Sequence, residues 1–396
     1  MKILITSDWY FPVVNGVVRS VLNLIDYLEG EGHEVKVLTL SNTSKSYKDG
    51  NVYYVGSLSA AKIYPQARVS NLLAKSHLKE IKGWGPDVIH SQCEFSTFVM
   101  ARGIATDLDI PIVHTYHTVY EDYTHYFIPS KRAGKKLVSM ASKTFAGFCD
   151  RIIVPTAKTE RLLIDYGIDP YMIDIIPTGI HMPELYDKTI LRKALGIDQK
   201  AKVLLYLGRL GAEKNIQEIM EFYDRLKAPD IKLYIVGGGP YLATLKKDAE
   251  NISKEIIFTG MVDANIVNRY YQAADIFVTA STSETQGLTY YEALSNGTIA
   301  LCRDDDVLDG VIKNGFNGFK YRDFDEFEKF VKRVFQDFEY KELLEINARE
   351  YAGENFSIAG FGEKCLASYE LAIKEYDRES IDIFKRLWDC KRVRSG

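Results

Sequence analysis

Short apolar runs of strand length, each followed by a stretch with helical spacing, recur along this chain and then start again near its middle. In the first half, Lys2 to Ser7, Glu34 to Leu40, Asp87 to His90, Ile112 to Thr115 and Arg151 to Val154 read as strands. Between the first two, Val17, Val21, Leu24, Ile25 and Leu28 share one helix face, and Gly30 and Gly32 stop that helix. The second half repeats the pattern at Lys202 to Leu207, Ile231 to Val236, Glu255 to Phe258, Asp275 to Val278 and Thr298 to Leu301. Alternation of this kind predicts parallel sheets covered by helices on both faces. The restart predicts two such domains, and a chain of 396 residues is too long for one core. The expected bounds are 1–178, ending at the Pro177-Thr178-Gly179 turn, then 179–360, with closing helices over 361–396. Two doubly wound domains facing each other leave a cleft where the carboxyl ends of both sheets meet one ligand.

Composition narrows the partners. A net charge of -4 gives no reason to expect nucleic acid. Five cysteines with no C-x-x-C spacing argue against a disulfide framework and for a reducing cytoplasm. The opening MKILITSDWY meets an acid at Asp8 and reads as a first strand, not a signal peptide. No apolar run approaches the ~20 residues of a spanning helix, so a membrane contact is expected to be peripheral.

The densest chemistry lies in Ser281 to Leu294, where a strand runs into a polar loop and a helix starts just after Gly287. The N–H groups of Leu288 and Thr289 and the positive end of the helix dipole favour an anion there. Glu284 and Glu292 flank that position, and two carboxylates repel phosphate unless they hold something uncharged beside it, such as ribose or sugar hydroxyls. A nucleotide sugar has both parts. Arg209 and Lys214, in the loop after the second half's first strand, can meet two phosphates, or can be plain surface cations. Gly16 follows the very first strand, where backbone approaches a ligand, or serves only the turn. Gly237 to Pro240 reads as close packing or as a phosphate turn. His114, His117, Tyr120, Glu121, Asp122 and Tyr123 crowd a strand's carboxyl end, which is poor core material. His114 and His117 lack a third zinc ligand, and Asp304 to Asp306 reads as a solvated loop or helix start, so no metal is expected.

The setting E-x-x-G-x-x-x-x-E-A, residues 284–293, resembles the donor-site signature of retaining glycosyltransferases of family 4, and G-R-L-x-x-E-K over 208–214 resembles a second motif of that family. The resemblance implies a GT-B fold, two facing Rossmann-like domains, with the last helix crossing back onto the first. It implies a UDP-sugar as donor and no cofactor or metal, with Arg209 and Lys214 on the diphosphate. Glu292 would hold the ribose, Glu284 and His117 the reacting sugar, and Gly16 the diphosphate, although the family often has Gly-Gly where this chain has Asn15-Gly16. His181 stands where the family has Asp, and no role is carried over to it. The strings H-T-V-Y-E-D-Y-T-H-Y (117–126), P-T-G-I (177–180) and E-T-Q-G-L-T-Y-Y-E-A-L (284–294) are similar to those of bacterial enzymes that add an α-linked glucose to diacylglycerol.

A lipid acceptor has independent support. Lys131, Arg132, Lys135, Lys136 and Lys143 fall within an arc of about 140° on a helix, with Leu137, Val138, Ala141, Phe145 and Phe148 in another. Packing of the apolar face on the sheet explains the same pattern. Anionic headgroups add roughly 1 kcal/mol per surface cation, and Tyr123, Tyr126, Phe127 and Ile128 just upstream suit an interface. A basic, aromatic tail from Phe384 to Arg394 is a second such element. The expectation is a peripheral enzyme on the inner face of the cell membrane. A soluble acceptor, or a nucleotide-sugar-binding protein without transfer activity, is the competing reading.

Overall fold

The computed structural model describes residues 1–13, 15–60, 68–70, 75–118 and 131–393, with the backbone alone for 131, 133 and 377–393. Two compact units emerge, one formed by Met1–Gly179 with Ile358–Gly396 and the other by Ile180–Ser357.

The first unit holds β1 (Lys2–Ser7), α1 (Gly16–Gly30), β2 (Glu34–Leu40), β3 (Tyr47–Asp49), β4 (Val52–Val55), β5 (Ser57–Ser59), β6 (Arg68–Ser70), α2 (Lys75–Trp84), β7 (Val88–Ser91), α3 (Ser96–Leu108), β8 (Ile112–Thr115), α4 (Lys131–Ala146), β9 (Arg151–Val154), α5 (Ala157–Asp165) and β10 (Ile173–Ile175). Eight strands form one sheet in the order β10-β9-β8-β7-β1-β2-β4-β3, parallel except for β3 at its edge. The central strands are buried on both faces and mainly apolar, as in Val88 and Ile89 of β7, while the edge strand β3 is exposed. The chain leaves β1 for β2 on one side and returns to β7 on the other, so strand order reverses at β1 and β7. The carboxyl end of that reversal is where open α/β sheets take ligands.

Helix Ile358–Val393 belongs to this unit and lies on α1 and β8. Phe361, Cys365, Tyr369 and Ala372 recur at helical spacing and are buried with Ile3, Ile5, Val21 and Leu24. Arg151 fixes the same helix electrostatically: its guanidinium lies 2.6 Å from Asp174 and 3.4 Å from Glu375.

The second unit holds α6 (Lys188–Leu195), β11 (Lys202–Leu207), α7 (Ile216–Arg225), β12 (Ile231–Val236), α8 (Leu242–Ala249), β13 (Ile256–Gly260), α9 (Val267–Ala273), β14 (Ile276–Thr279), α10 (Leu288–Ser295), β15 (Ile299–Arg303), β16 (Gly318–Tyr321), α11 (Phe324–Gln336) and α12 (Phe338–Asn355). Its sheet is parallel, in the order β13-β12-β11-β14-β15-β16, and order reverses at β11 and β14. At the opposite end of the sheet, buried Asp275 ties the unit together. It lies 2.7 Å from Lys188, 2.6 Å from Lys341 and 2.9 Å from Arg192.

The strand and helix alternation read from the sequence is present in both units, and β3 to β6, β10 and β16 were not anticipated.

Candidate active site

The loops after β11 and β14, the two strands at the reversal, carry most of the expected donor residues. Gly208-Arg209 leaves β11, a single turn of 3-10 helix at Ala212–Lys214 follows, and α7 begins at Ile216. Lys214 Nζ lies 2.5 Å from Glu284 Oε1, with both side chains less than a fifth exposed. Arg209 pairs with Glu213 and is half exposed. The two cations expected to face a diphosphate therefore each have a carboxylate partner, and the quartet is neutral overall. Glu213 and Glu284 thus hold Arg209 and Lys214 in place.

The loop geometry comes from backbone fit. Gly208 N–H donates to Val236 O and Leu210 N–H to Gly238 O, at 3.0 and 2.9 Å. A Cβ at Gly237, whose φ is +139°, would lie 1.9 Å from the Gly208 carbonyl oxygen. The glycine run at 237–239 is thus the buttress of the Arg209 loop, which is the close-packing alternative for that turn. Tyr206, at the end of β11, donates to Arg209 O at 3.1 Å. Burial, with Glu284 and Glu213 nearby, pushes its phenol up, so it stays a donor.

Gly287 caps α10 at φ +74°, and a Cβ there would lie 2.3 Å from the Tyr290 ring. Only glycine turns the chain this tightly into α10. Thr289 sits close to Gly208, its Cγ2 3.8 Å from where a Gly208 Cβ would be, so α10 starts beside the Arg209 loop. Glu292, one turn on, accepts a 3.1 Å hydrogen bond from the Tyr271 hydroxyl on α9. Tyr271 is fully buried, and burial beside Glu292 raises its pKa well above the usual phenol range. It orients Glu292, and nothing in its local sequence, an apolar helix face, sets it apart from core.

Asp305 accepts from Val307 N–H at 2.9 Å, so part of the acidic run caps a 3-10 turn.

His117 and Gly16 belong to the first unit. Gly16 opens α1, whose N-cap Asn15 accepts from Val18 N–H at 2.9 Å, at the carboxyl end of β1. His117 follows β8, and its Nε2 lies 2.6 Å from Gln92 Oε1. Burial, then the neighbouring His114, pushes it down to about 3, so the ring is neutral. His114 is buried with Nε2 3.3 Å from Glu94, a packed group behind the site. Trp9, Tyr10 and Phe11 in the β1–α1 loop, with Tyr47, Tyr54 and Arg68, line a cavity of about 240 Å³ that the sequence did not announce.

Helix α4 divides differently from its expected two faces. Val138, Phe145 and Phe148 pack against the unit's core, and Arg102 stacks its guanidinium 3.5 Å from the Phe148 ring. Leu137 and Met140, 58% and 60% exposed, face outward with Ala141. Arg132, Lys135, Lys136 and Lys143 are exposed too. The outward face itself is amphipathic. Tyr123, Tyr126, Phe127 and Ile128 lie outside the described residues, as does the side chain of Lys131, and the side chains of the basic tail are likewise not described. No helix among the described residues is long and apolar enough to cross a membrane.

Comparison with known proteins agrees with the two-domain fold. The family described as Glycosyltransferase Family 4 matches residues 14–182, and that described as Glycosyl transferases group 1 matches residues 187–351. Alpha-monoglucosyldiacylglycerol synthase of Streptococcus pneumoniae is 37% identical over 81% of this chain and 75% of its own. The protein of the same name from Acholeplasma laidlawii is 36% identical over 80% of this chain and 84% of its own. Among solved structures, Anabaena HepE in complex with UDP superposes with a TM-score of 0.73 at 16% identity, covering 93% of this chain and all of that one, which speaks for a shared GT-B fold. Matched across both units and more than a third identical to named synthases, the chain belongs to glycosyltransferase family 4, and it is a glycosyltransferase.

Proposed function

We propose that this glycosyltransferase transfers glucose from UDP-glucose to a diacylglycerol-type membrane lipid, with retention of configuration and without a metal or other cofactor. The observation that carries the reading is the arrangement around the β11 and β14 loops. Two cations already held in place, a helix start and two carboxylates share one end of the sheet, which suits a ligand with a diphosphate beside neutral hydroxyls. Arg209, Lys214, Gly287, Leu288 and Thr289 take the diphosphate, Glu292 the ribose and Glu284 the sugar, while Gly16 and His117 are the first unit's contributions.

In this reading the bond from the sugar's anomeric carbon to the leaving phosphate oxygen breaks while the lipid hydroxyl oxygen bonds to the same carbon from the same face. The proton of that hydroxyl passes to the leaving phosphate. Arg209 and Lys214 stabilise the charge that grows there, the role other retaining enzymes give to a metal.

The two named relatives support the lipid acceptor, and so does the outward face of α4. Cations beside Leu137 and Met140 suit a protein resting on anionic headgroups from the cytoplasmic side. The test is product analysis with a panel of UDP-sugars and diacylglycerol in vesicles with and without phosphatidylglycerol. A glucosylated lipid from UDP-glucose, formed faster on anionic vesicles, is expected. Transfer to water-soluble acceptors only would overturn the lipid assignment.

A further inference from the structure

Behind His117 runs a chain of hydrogen bonds that reaches the far end of the sequence. His117 Nε2 lies 2.6 Å from Gln92 Oε1, Gln92 Nε2 lies 3.1 Å from His90 Nε2, and His90 Nδ1 lies 2.6 Å from the Tyr369 hydroxyl. Thr115 Oγ1 closes on His90 Nε2 at 2.7 Å. His90 lies near the end of β7, Gln92 opens the loop after it, and Tyr369 comes from the closing helix that lies on α1 and β8. Gln92, His90 and Tyr369 are all buried, so water does not compete for these bonds.

With the Gln92 amide oxygen facing His117 and its nitrogen facing His90, the protons follow from what each group donates or accepts. An amide oxygen only accepts, so His117 carries its proton on Nε2. An amide nitrogen only donates, so His90 Nε2 is bare, and His90 donates from Nδ1 to the Tyr369 oxygen. Both rings are neutral, since burial and the neighbouring histidines push both titrations down. With one proton per ring, the tautomer of His117 is set and Nδ1 is left as an acceptor.

We propose that Gln92 is a positioning residue that holds His117 as the Nε2–H tautomer, so that Nδ1 accepts a hydrogen bond from a hydroxyl of the bound sugar. His90 takes the other side of the Gln92 amide, and the Tyr369 and Thr115 hydroxyls complete the buried chain behind it. This rests on the reading above, in which His117 faces the donor sugar. An imidazole held this way grips a hydroxyl and cannot donate to the leaving phosphate from Nδ1. It also makes the closing helix a part of the site's support, through a single hydroxyl 279 positions from its partner.

Histidine-labelled 15N spectra of the full chain read the tautomer, and a double-mutant cycle reads its use in UDP-glucose turnover. The wild type is expected to show the Nε2–H form at His117, and Gln92→Met a mixture. Gln92→Met is expected to lower kcat/KM by about tenfold in the wild type and by less than about twofold in His117→Ala, because it acts only through that ring. Tyr369→Phe keeps the packed ring, guards against a misfolded Gln92 variant, and is expected to lower kcat/KM about threefold with the same dependence on His117. An Nδ1–H tautomer in the wild type, or losses as large in His117→Ala as without it, would overturn the proposal. Full turnover in His117→Ala would instead remove the sugar-facing role of the ring, while the spectra still decide whether Gln92 sets its proton.

Discussion

Lys214 and Glu284 meet at 2.5 Å and so join the loop after β11 to the loop after β14, the two strands between which the sheet order reverses. The pair presets the site. Either residue alone would be a poorly solvated charge on a loop, and together they hold each other in the place where the proposed function puts the diphosphate and a sugar hydroxyl.

In the proposed mechanism, replacing Lys214 by Met removes a charge-assisted contact to the leaving group, whose charge grows as the bond breaks. The expected loss in kcat is about 100-fold or more, with a weaker effect on lipid binding. Steady-state kinetics with UDP-glucose check this, and a change confined to KM would mean that Lys214 binds the donor without assisting departure.

Gly237→Ala places a methyl 1.9 Å from the Gly208 carbonyl oxygen and forces apart the two backbones that shape the Arg209 loop. The expected cost is about 2 kcal/mol of stability together with weakened UDP binding. Thermal unfolding and calorimetric titration measure the two, and an unshifted affinity in a destabilised variant would free the loop from any role in donor binding.

Tyr271→Phe removes the hydroxyl that orients Glu292 and leaves the ring in the core. A loss of about 1 kcal/mol in stability is expected, with a severalfold rise in the KM for the nucleotide sugar. Equal KM values would show that Glu292 is held by other contacts.

How far all this was legible in the sequence depends on scale. The strand periods, the restart near residue 202 and the motif around Glu284 could be read, because buried parallel strands are apolar throughout and a helix start after a glycine has its own signature. The Gly50-Asn51 turn between β3 and β4, with Gly50 at φ +54°, is a hairpin signal too, but the short strands beside it are polar and carry little periodicity. Tyr271, Tyr206 and Gln92 could not be found this way. Tyr271 and Gln92 act through contacts with residues more than twenty positions away, Tyr206 through a hydroxyl bond to a backbone carbonyl that no sequence pattern marks, and locally each reads as core or loop. The glycines at 237–239 were ambiguous for a related reason, since the same lack of a Cβ serves a phosphate or a neighbouring backbone.

Asp275 makes the second unit acid-sensitive. Burial alone would raise its pKa, but Lys188 and Lys341 outweigh it and hold the carboxyl well below the usual range. A carboxylate depressed in the folded state contributes stability that is complete above its unfolded value, near 3.8, and is lost as pH falls through the folded one. Asp275→Asn should therefore cost about 3 kcal/mol near neutral pH, with the gap to wild type closing below about pH 4. A gap independent of pH would contradict this.

On α4, replacing Lys135, Lys136 and Lys143 by Ala should remove about 3 kcal/mol of attraction to anionic vesicles, and Leu137→Ser with Met140→Ser should weaken what binding remains. Vesicle flotation reads both. Binding that ignores lipid charge would move the membrane contact away from this helix.

The most direct test of the whole account is the rate of glucose transfer from UDP-glucose to diacylglycerol by the Glu284→Gln, Glu292→Gln double variant beside the wild type. The prediction is that transfer falls by at least about 100-fold while the variant still melts cooperatively. A double variant that turns over at the wild-type rate would contradict the claim that these two carboxylates hold the donor.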